Sequence, residues 1–319
     1  MALLIFGVVV GVDAIQGEPV EDEPVPSAAS AETVDDPNVL RWAGCGITRT
    51  AFMAEMAAAY ELQSGVKIVI EGGGATRGIR DTASRKIDMG GSCRLPLGDP
   101  AGLRPQPEEA GINMVPVAWD ALVVIVHPDN PLDSISLPQL RDLLLGDVTD
   151  WSGLGGPTRP IELQIRQGRI SGVGHTLRNL LFGDPGQDFT ASATVHKSTG
   201  PLEKAIEEKP WAVGVTGVSS ARKRNVKMLK LAGVEPTYEN IKLGRYLLYR
   251  PLYLVTPLPS SAQETVDPRI ADFVRFATGI EGARVLRSMG TVPYRDAPQL
   301  VLRQLQELRK ALDGGLLNR

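Results

Sequence analysis

VPVAWDALVVIVHPDNPLDSISLPQLRDLLLG, residues 115–146, joins an unusually long strand signal to a helix marked at both ends. The run 115–127 is dominated by valine, isoleucine and other apolar residues, whereas ordinary strands stop after about 5–6 residues. The turn chemistry of His127-Pro128-Asp129-Asn130-Pro131 ends it. Ser136 then stands at a cap position, leucines recur at helical spacing, and Gly146 supplies a stop, so a helix is predicted over 136–146. A strand this long predicts a segment crossing from one lobe to another. YLLYRPLYLVT, residues 246–256, is a second such stretch and crosses back.

Before the first crossing the chain alternates. A short apolar run at 39–43 precedes a helical pattern over 50–63, a β-branched run at 66–70 that reads as a buried strand, a glycine-rich turn, a helix to about 86 and a strand at 87–91. Strand–helix–strand order implies a parallel sheet with helices on both faces. Between the crossings the same order returns: a strand at 160–165, a glycine-rich turn, a helix over 172–182 and a strand at 213–218. Helices follow at 267–277, 281–289 and 298–312, the last with Val301, Leu305, Leu308 and Leu312 on one packing face. The expected fold class is α/β, two lobes joined by two hinge crossings. Residues 39–117 and 254–319 form lobe 1 and residues 118–253 lobe 2. A ligand site belongs in the cleft between them, at strand ends and helix N-termini.

Composition narrows the function. With 34 basic against 37 acidic residues the net charge is −3, which gives no general attraction for nucleic acid or an anionic membrane. Cys45, Cys93, His127, His175 and His196 show no metal-ligand spacing, so no metal and no cofactor are expected. The two cysteines read first as buried free thiols, with one disulfide or a reactive thiol as the alternatives. Residues 1–17 read as a signal peptide with a short apolar core, far below the ~20 residues of a membrane span. Residues 18–38 carry only acidic charge and several prolines and read as a disordered linker.

Several segments together resemble the phosphate-binding proteins of bacterial phosphate ABC importers. The stretch 115–161 is similar to that family's hinge crossing, its HPDNP loop, capped helix and GGP turn. GRYLLYRPLYLVTP at 244–257 is similar to the return crossing, and EGGGATRGIR and KIDMGGSCR to elements of the first lobe. The resemblance covers roughly residues 39–294. It implies the two-lobed periplasmic-binding-protein fold with two hinge crossings, and a solute-binding protein, not an enzyme, that captures an inorganic oxyanion, phosphate first, for ABC import. Its implied partners are that anion and ABC permease subunits. It implies a monomer in the periplasm or outside the cell.

By the same resemblance the ligand loops hold Gly46, Thr48 and Arg49; Ala75 and Thr76; Cys93 and Arg94; Arg166; and Ser171, Gly172 and Val173. Several departures stand out. The family has serine where Ala75 is, an acidic residue or serine where Cys93 is, and threonine where Val173 is. What survives is backbone: glycine-rich helix starts still offer free N–H groups and the positive end of the helix dipole.

Two other classes fit parts of the sequence. A sensor or accessory protein on the same fold, with a drifted cleft, would explain the lost donors. A dinucleotide-binding enzyme would use Gly44 and Gly46 with Glu71 on the next strand, but Arg49 replaces the third glycine of that fingerprint and the two crossings go unexplained. Ser171 and His175 suggest a nucleophile and base, yet GRISGVG lacks the nucleophile-elbow spacing and reads as an ordinary helix start.

Overall fold

A computed structural model describes residues 36–98, 104–261 and 263–317. The expected leader and nearly all of the acidic linker lie outside the described residues. All of the described residues except Asp36 belong to one unit, Pro37–Arg319.

The strands in chain order are β1 (Val39–Gly44), β2 (Lys67–Glu71), β3 (Met89–Ser92), β4 (Ile112–Val126), β5 (Ser134–Ile135), β6 (Glu162–Arg166), β7 (Thr194–His196), β8 (Ala212–Gly217), β9 (Lys227–Met228), β10 (Lys230–Leu231), β11 (Tyr249–Pro257) and β12 (Val292–Pro293). The main sheet runs β2-β1-β3-β11-β4-β8-β6-β7. β1 is parallel to β2 and β3, and β6 is parallel to β7 and β8, so each end of the sheet is a strand–helix–strand unit. β4 is the shared member. From Ile112 to Ala121 it pairs with β11, and from Leu122 to Val126 with β8. At the handover the Leu122 N–H donates to the Leu248 carbonyl at 2.8 Å. The long-strand reading of 115–127 therefore holds: its residues serve two half-sheets in turn. The return strand starts at Tyr249, three residues later than expected, because 246–248 form a turn.

Buried tryptophans anchor the unit: Trp42 on β1, Trp119 on β4, and Trp151 in a helical turn. Trp119 stacks on Tyr294, with ring centroids 5.0 Å apart. Close glycine packing lays the helix Gly74–Ala83 on β1 and β3. A Cβ on Gly78 would come within 2.8 Å of the Ala43 and Gly91 carbonyls, and one on Gly90 within 2.1 Å of the Gly78 carbonyl. That contact brings the start of the helix down onto the strand ends.

The capped helix is Leu137–Leu145. Ser136 and Gln139 form a reciprocal capping box, and Gly146 closes it in the left-handed conformation. The helix Gly172–Phe182 matches its expected span. β2, expected to be buried, is a sheet edge with Lys67 and Val69 turned outward. β7 and the helix Thr199–Glu208 have no counterpart in the sequence reading, since the short polar stretch before them shows no period. The last helix runs Pro298–Leu317; its expected packing face holds at Val301, which packs against the core, and is corrected at Leu305. Leu300 is fully buried, but Leu305 is exposed. Further along, polar bonds from Arg303 to the Gly244 carbonyl and between Gln304 and Tyr253 hold the helix instead. The side chains of Leu308 and Leu312 lie outside the described residues.

Candidate functional site

The ends of β1, β2, β3, β6 and β7 all open onto one cavity of about 640 Å³. Among the described residues four helices begin on it, at Gly46, Gly74, Gly172 and Thr199. This follows from the topology: in a parallel sheet the C-terminal strand ends feed helix N-termini. Two of these starts are capped by their own side chains. Cys45 Sγ accepts from the Thr48 N–H at 3.3 Å, and Ser171 Oγ from the Gly174 N–H at 3.2 Å. The starts at Gly73 and Ser198 have no side-chain cap, which leaves first-turn N–H groups for a ligand.

Among the described residues three cations line the cavity and no carboxylate does. Arg49 and Lys197 are exposed, and Arg166 is half-buried. Arg166 spends Nη1 on the His196 carbonyl at 2.8 Å, while its Nε is buried without a partner. Burial draws the Arg166 pKa down, against the nearby Cys93, Cys45 and Glu203. A guanidinium keeps its charge even so.

One wall is formed where the two halves meet. Thr76 Oγ1 and Arg94 Nε both donate to the Ile170 carbonyl, at 3.1 and 2.9 Å. From the other side Thr176 Oγ1 donates to the Cys93 carbonyl at 3.0 Å. Gly172 lies against this wall: a Cβ there would sit 2.3 Å from Cys93 Sγ and 3.1 Å from the Ala75 Cβ.

Nine of the expected ligand residues line the cavity: Gly46, Arg49, Ala75, Thr76, Cys93, Arg166, Ser171, Gly172 and Val173. Arg94 and Thr48 do not. Every Arg94 N–H donor is already used. Two go to the buried Glu109 carboxylate, at 2.8 Å each, and the others to Ile170, Leu95 and Thr76. Thr48 is fully buried, and its hydroxyl donates to the Cys45 carbonyl at 2.9 Å. Both residues shape loops and have no donor facing a ligand.

Sequence reasoning missed Glu109, whose local context carries no signal, and Lys197, Ser198, Thr199 and Gly200. The last four were legible in principle, because a serine before a small residue and a glycine is a helix-start pattern. His175 makes no catalytic set: its Nδ1 lies 3.2 Å from the Arg169 carbonyl.

The floor is made by Cys45 and Cys93, both buried and reduced. Burial alone would push the Cys45 thiol up. Hydrogen bonds from Cys93 and from the Thr48 hydroxyl and N–H, helped by the Arg250 charge, reverse this and hold it at about 6. Cys93, which donates to Cys45 and is itself buried, is pushed well up. Beneath them Arg250 on β11 faces Asp120 on β4, its register partner, at 3.4 Å. Asp120 also accepts from the Ser219 N–H and hydroxyl.

Residues 31–281 match a family described as the PBP superfamily domain. The phosphate-binding protein PstS of Borreliella burgdorferi is 24% identical over 255 residues, which span 77% of this chain and 87% of that protein. Its namesake in Pseudomonas aeruginosa is 26% identical over 196 residues, 56% of this chain and 59% of that protein. Among solved structures, a putative phosphate ABC transporter substrate-binding protein with bound phosphate from Clostridium perfringens superposes with a TM-score of 0.70 at 23% identity. The match covers 80% of this chain and 99% of that one. An ABC-type phosphate transport receptor from Vibrio cholerae gives 0.60 at 21%, covering 79% and 99%.

Proposed function

The chain belongs to the PBP superfamily, and we propose that it is a solute-binding protein whose cleft captures an inorganic oxyanion, phosphate first, for ABC import. The observation that carries this reading is the lining. Among the described residues four helix starts and three cations face one cavity, and no carboxylate does. Each cation offers charge-assisted bonds to an oxyanion, and each uncapped helix start offers N–H groups in a field of the right sign. The names of the relatives support phosphate as the anion.

In this reading the lobes divide where β4 passes from β11 to β8, near Ala121 and Leu122, and where the return strand begins at Tyr249. The ligand binds the closed arrangement better than the open one, and binding shifts the population. No covalent step is needed. The partners are the anion and ABC permease subunits, the protein acts as a monomer, and its place is the periplasm or the cell exterior. No helix among the described residues is long and apolar enough to cross a membrane.

Because no carboxylate among the described residues lines the cavity, none of those lining groups demands a proton on the ligand, and sulfate is expected to compete. Calorimetric titration of the full chain with phosphate, then sulfate, tests this. Saturable phosphate binding, weakened about ten- to hundredfold in Arg166→Ala, is expected, as befits a charge-assisted contact of about 1.5–3 kcal/mol. An absence of heat across phosphate, sulfate and other oxyanions would replace the reading with a sensor or accessory role on the same fold.

A further inference from the structure

We propose that Cys45 and Cys93 are a dithiol–disulfide site on the cleft floor, oxidised by a small-molecule disulfide outside the cytoplasm, and that the disulfide form binds anions more tightly than the dithiol form. The affinity half rests on the anion-binding reading of the cleft.

Geometry carries the bond. β1 and β3 are parallel, with Gly44 opposite Gly91, and the Cys45 N–H donates to the Gly91 carbonyl at 3.1 Å. Cys45 and Cys93 therefore leave adjacent strands one residue out of step. For strands about 4.8 Å apart that offset is within reach of a disulfide, whose Cα atoms stand about 4.4–6.8 Å apart. The two thiols act on each other: Cys93 draws the Cys45 pKa down and is itself pushed up. Both sulfurs belong to residues that line the cavity, and about 640 Å³ admits a small-molecule disulfide.

A second observation is independent of the thiols. Arg250 is 2% exposed, and its Nε and Nη1 have no hydrogen-bond partner. A buried guanidinium with two idle donors is costly. Its charge acts on both sulfurs, on Cys93 more than on Cys45.

The exchange balances. The Cys45 thiolate attacks one sulfur of the external disulfide, forming a mixed disulfide and releasing a thiolate. Cys93 gives up its proton to that thiolate, attacks Cys45 Sγ and expels a second thiolate. The two cysteines lose two electrons and two hydrogens in all, and the external disulfide becomes two thiols. The floor then changes from anionic to neutral. Arg250 keeps its contact with Asp120, and an incoming anion no longer meets a negative sulfur.

The test uses the full chain equilibrated at pH 8 in oxidised or reduced glutathione. Thiols are counted after denaturation, and phosphate binding is measured in each state. The expected result is loss of both thiols, with a mass lower by two hydrogens, and phosphate binding about tenfold tighter in the oxidised form. A tenfold change corresponds to about 1.4 kcal/mol, the size of a screened charge–charge interaction. The ratio should vanish in Cys45→Ser and Cys93→Ser; serine at 45 keeps a cap acceptor, so the fold is preserved. Two thiols persisting in excess oxidised glutathione, in a chain folded by circular dichroism, would overturn the proposal. So would equal affinity in both states. A chain that forms the bond yet binds no oxyanion in either state overturns the anion reading, and the affinity half with it, while the thiol count upholds the disulfide.

Discussion

Glu109 shows how one buried side chain can order a cleft without touching its ligand. Its carboxylate is fully buried and holds Arg94, which in turn holds the Ile170 carbonyl across the cavity wall. Burial pushes the Glu109 carboxyl up, but hydrogen bonds from Arg94, the Leu97 N–H and Arg80 outweigh it and hold the group below its ordinary 4.5. Because the folded value is depressed, the stabilisation is complete above the unfolded pKa. It is lost as pH falls below about 4.5 and through the folded value. Glu109→Gln leaves Arg94 buried without its counter-charge and is expected to cost about 3–5 kcal/mol in urea denaturation at pH 7. The deficit should narrow as the pH is lowered, since acid removes the same charge from the parent chain.

At the scale of elements, two serine caps separate stability from binding. Ser136 caps a helix that starts away from the cavity, whereas Ser171 caps one that starts on it. Either serine changed to alanine should lower stability by about 1 kcal/mol, the usual worth of an N-cap. Only Ser171→Ala should also weaken phosphate binding. Thermal denaturation alongside calorimetry distinguishes the two, and a loss of affinity in Ser136→Ala would break the assignment. The elements themselves were largely legible. Caps and stops are local chemistry, so the helices at 136–146 and 172–182 could be read directly. β7 and the helix after it were not, because three strand residues, two of them exposed, owe their conformation to pairing with β6.

For the whole molecule the issue is closure. Gly172 sits where the halves touch, with no room for a methyl group beside Cys93 and Ala75. Gly172→Ala should hold the cleft ajar. Overpacking of about 1–3 kcal/mol predicts phosphate binding weaker by roughly five- to hundredfold. Small-angle scattering supplies the second readout: phosphate should compact the parent chain and leave the variant extended. Equal compaction in both would show that the contact is not part of closure.

By itself the sequence determined the architecture. Two overlong β stretches, alternating strands and helices, and capped helix starts are written in neighbouring residues, and their physics is local. It also brought nine of the eleven expected ligand residues to one cavity, because glycine-rich loops after parallel strands can lead only to the same end of the sheet. Tertiary structure alone decided which donors remain free. Arg94 meets Glu109 fifteen residues on and Ile170 seventy-six residues on, and Asp120 meets Arg250 at a separation of 130. Whether an arginine serves a ligand or a carboxylate depends on which distant groups folding brings within about 3 Å, and no local pattern encodes that distance.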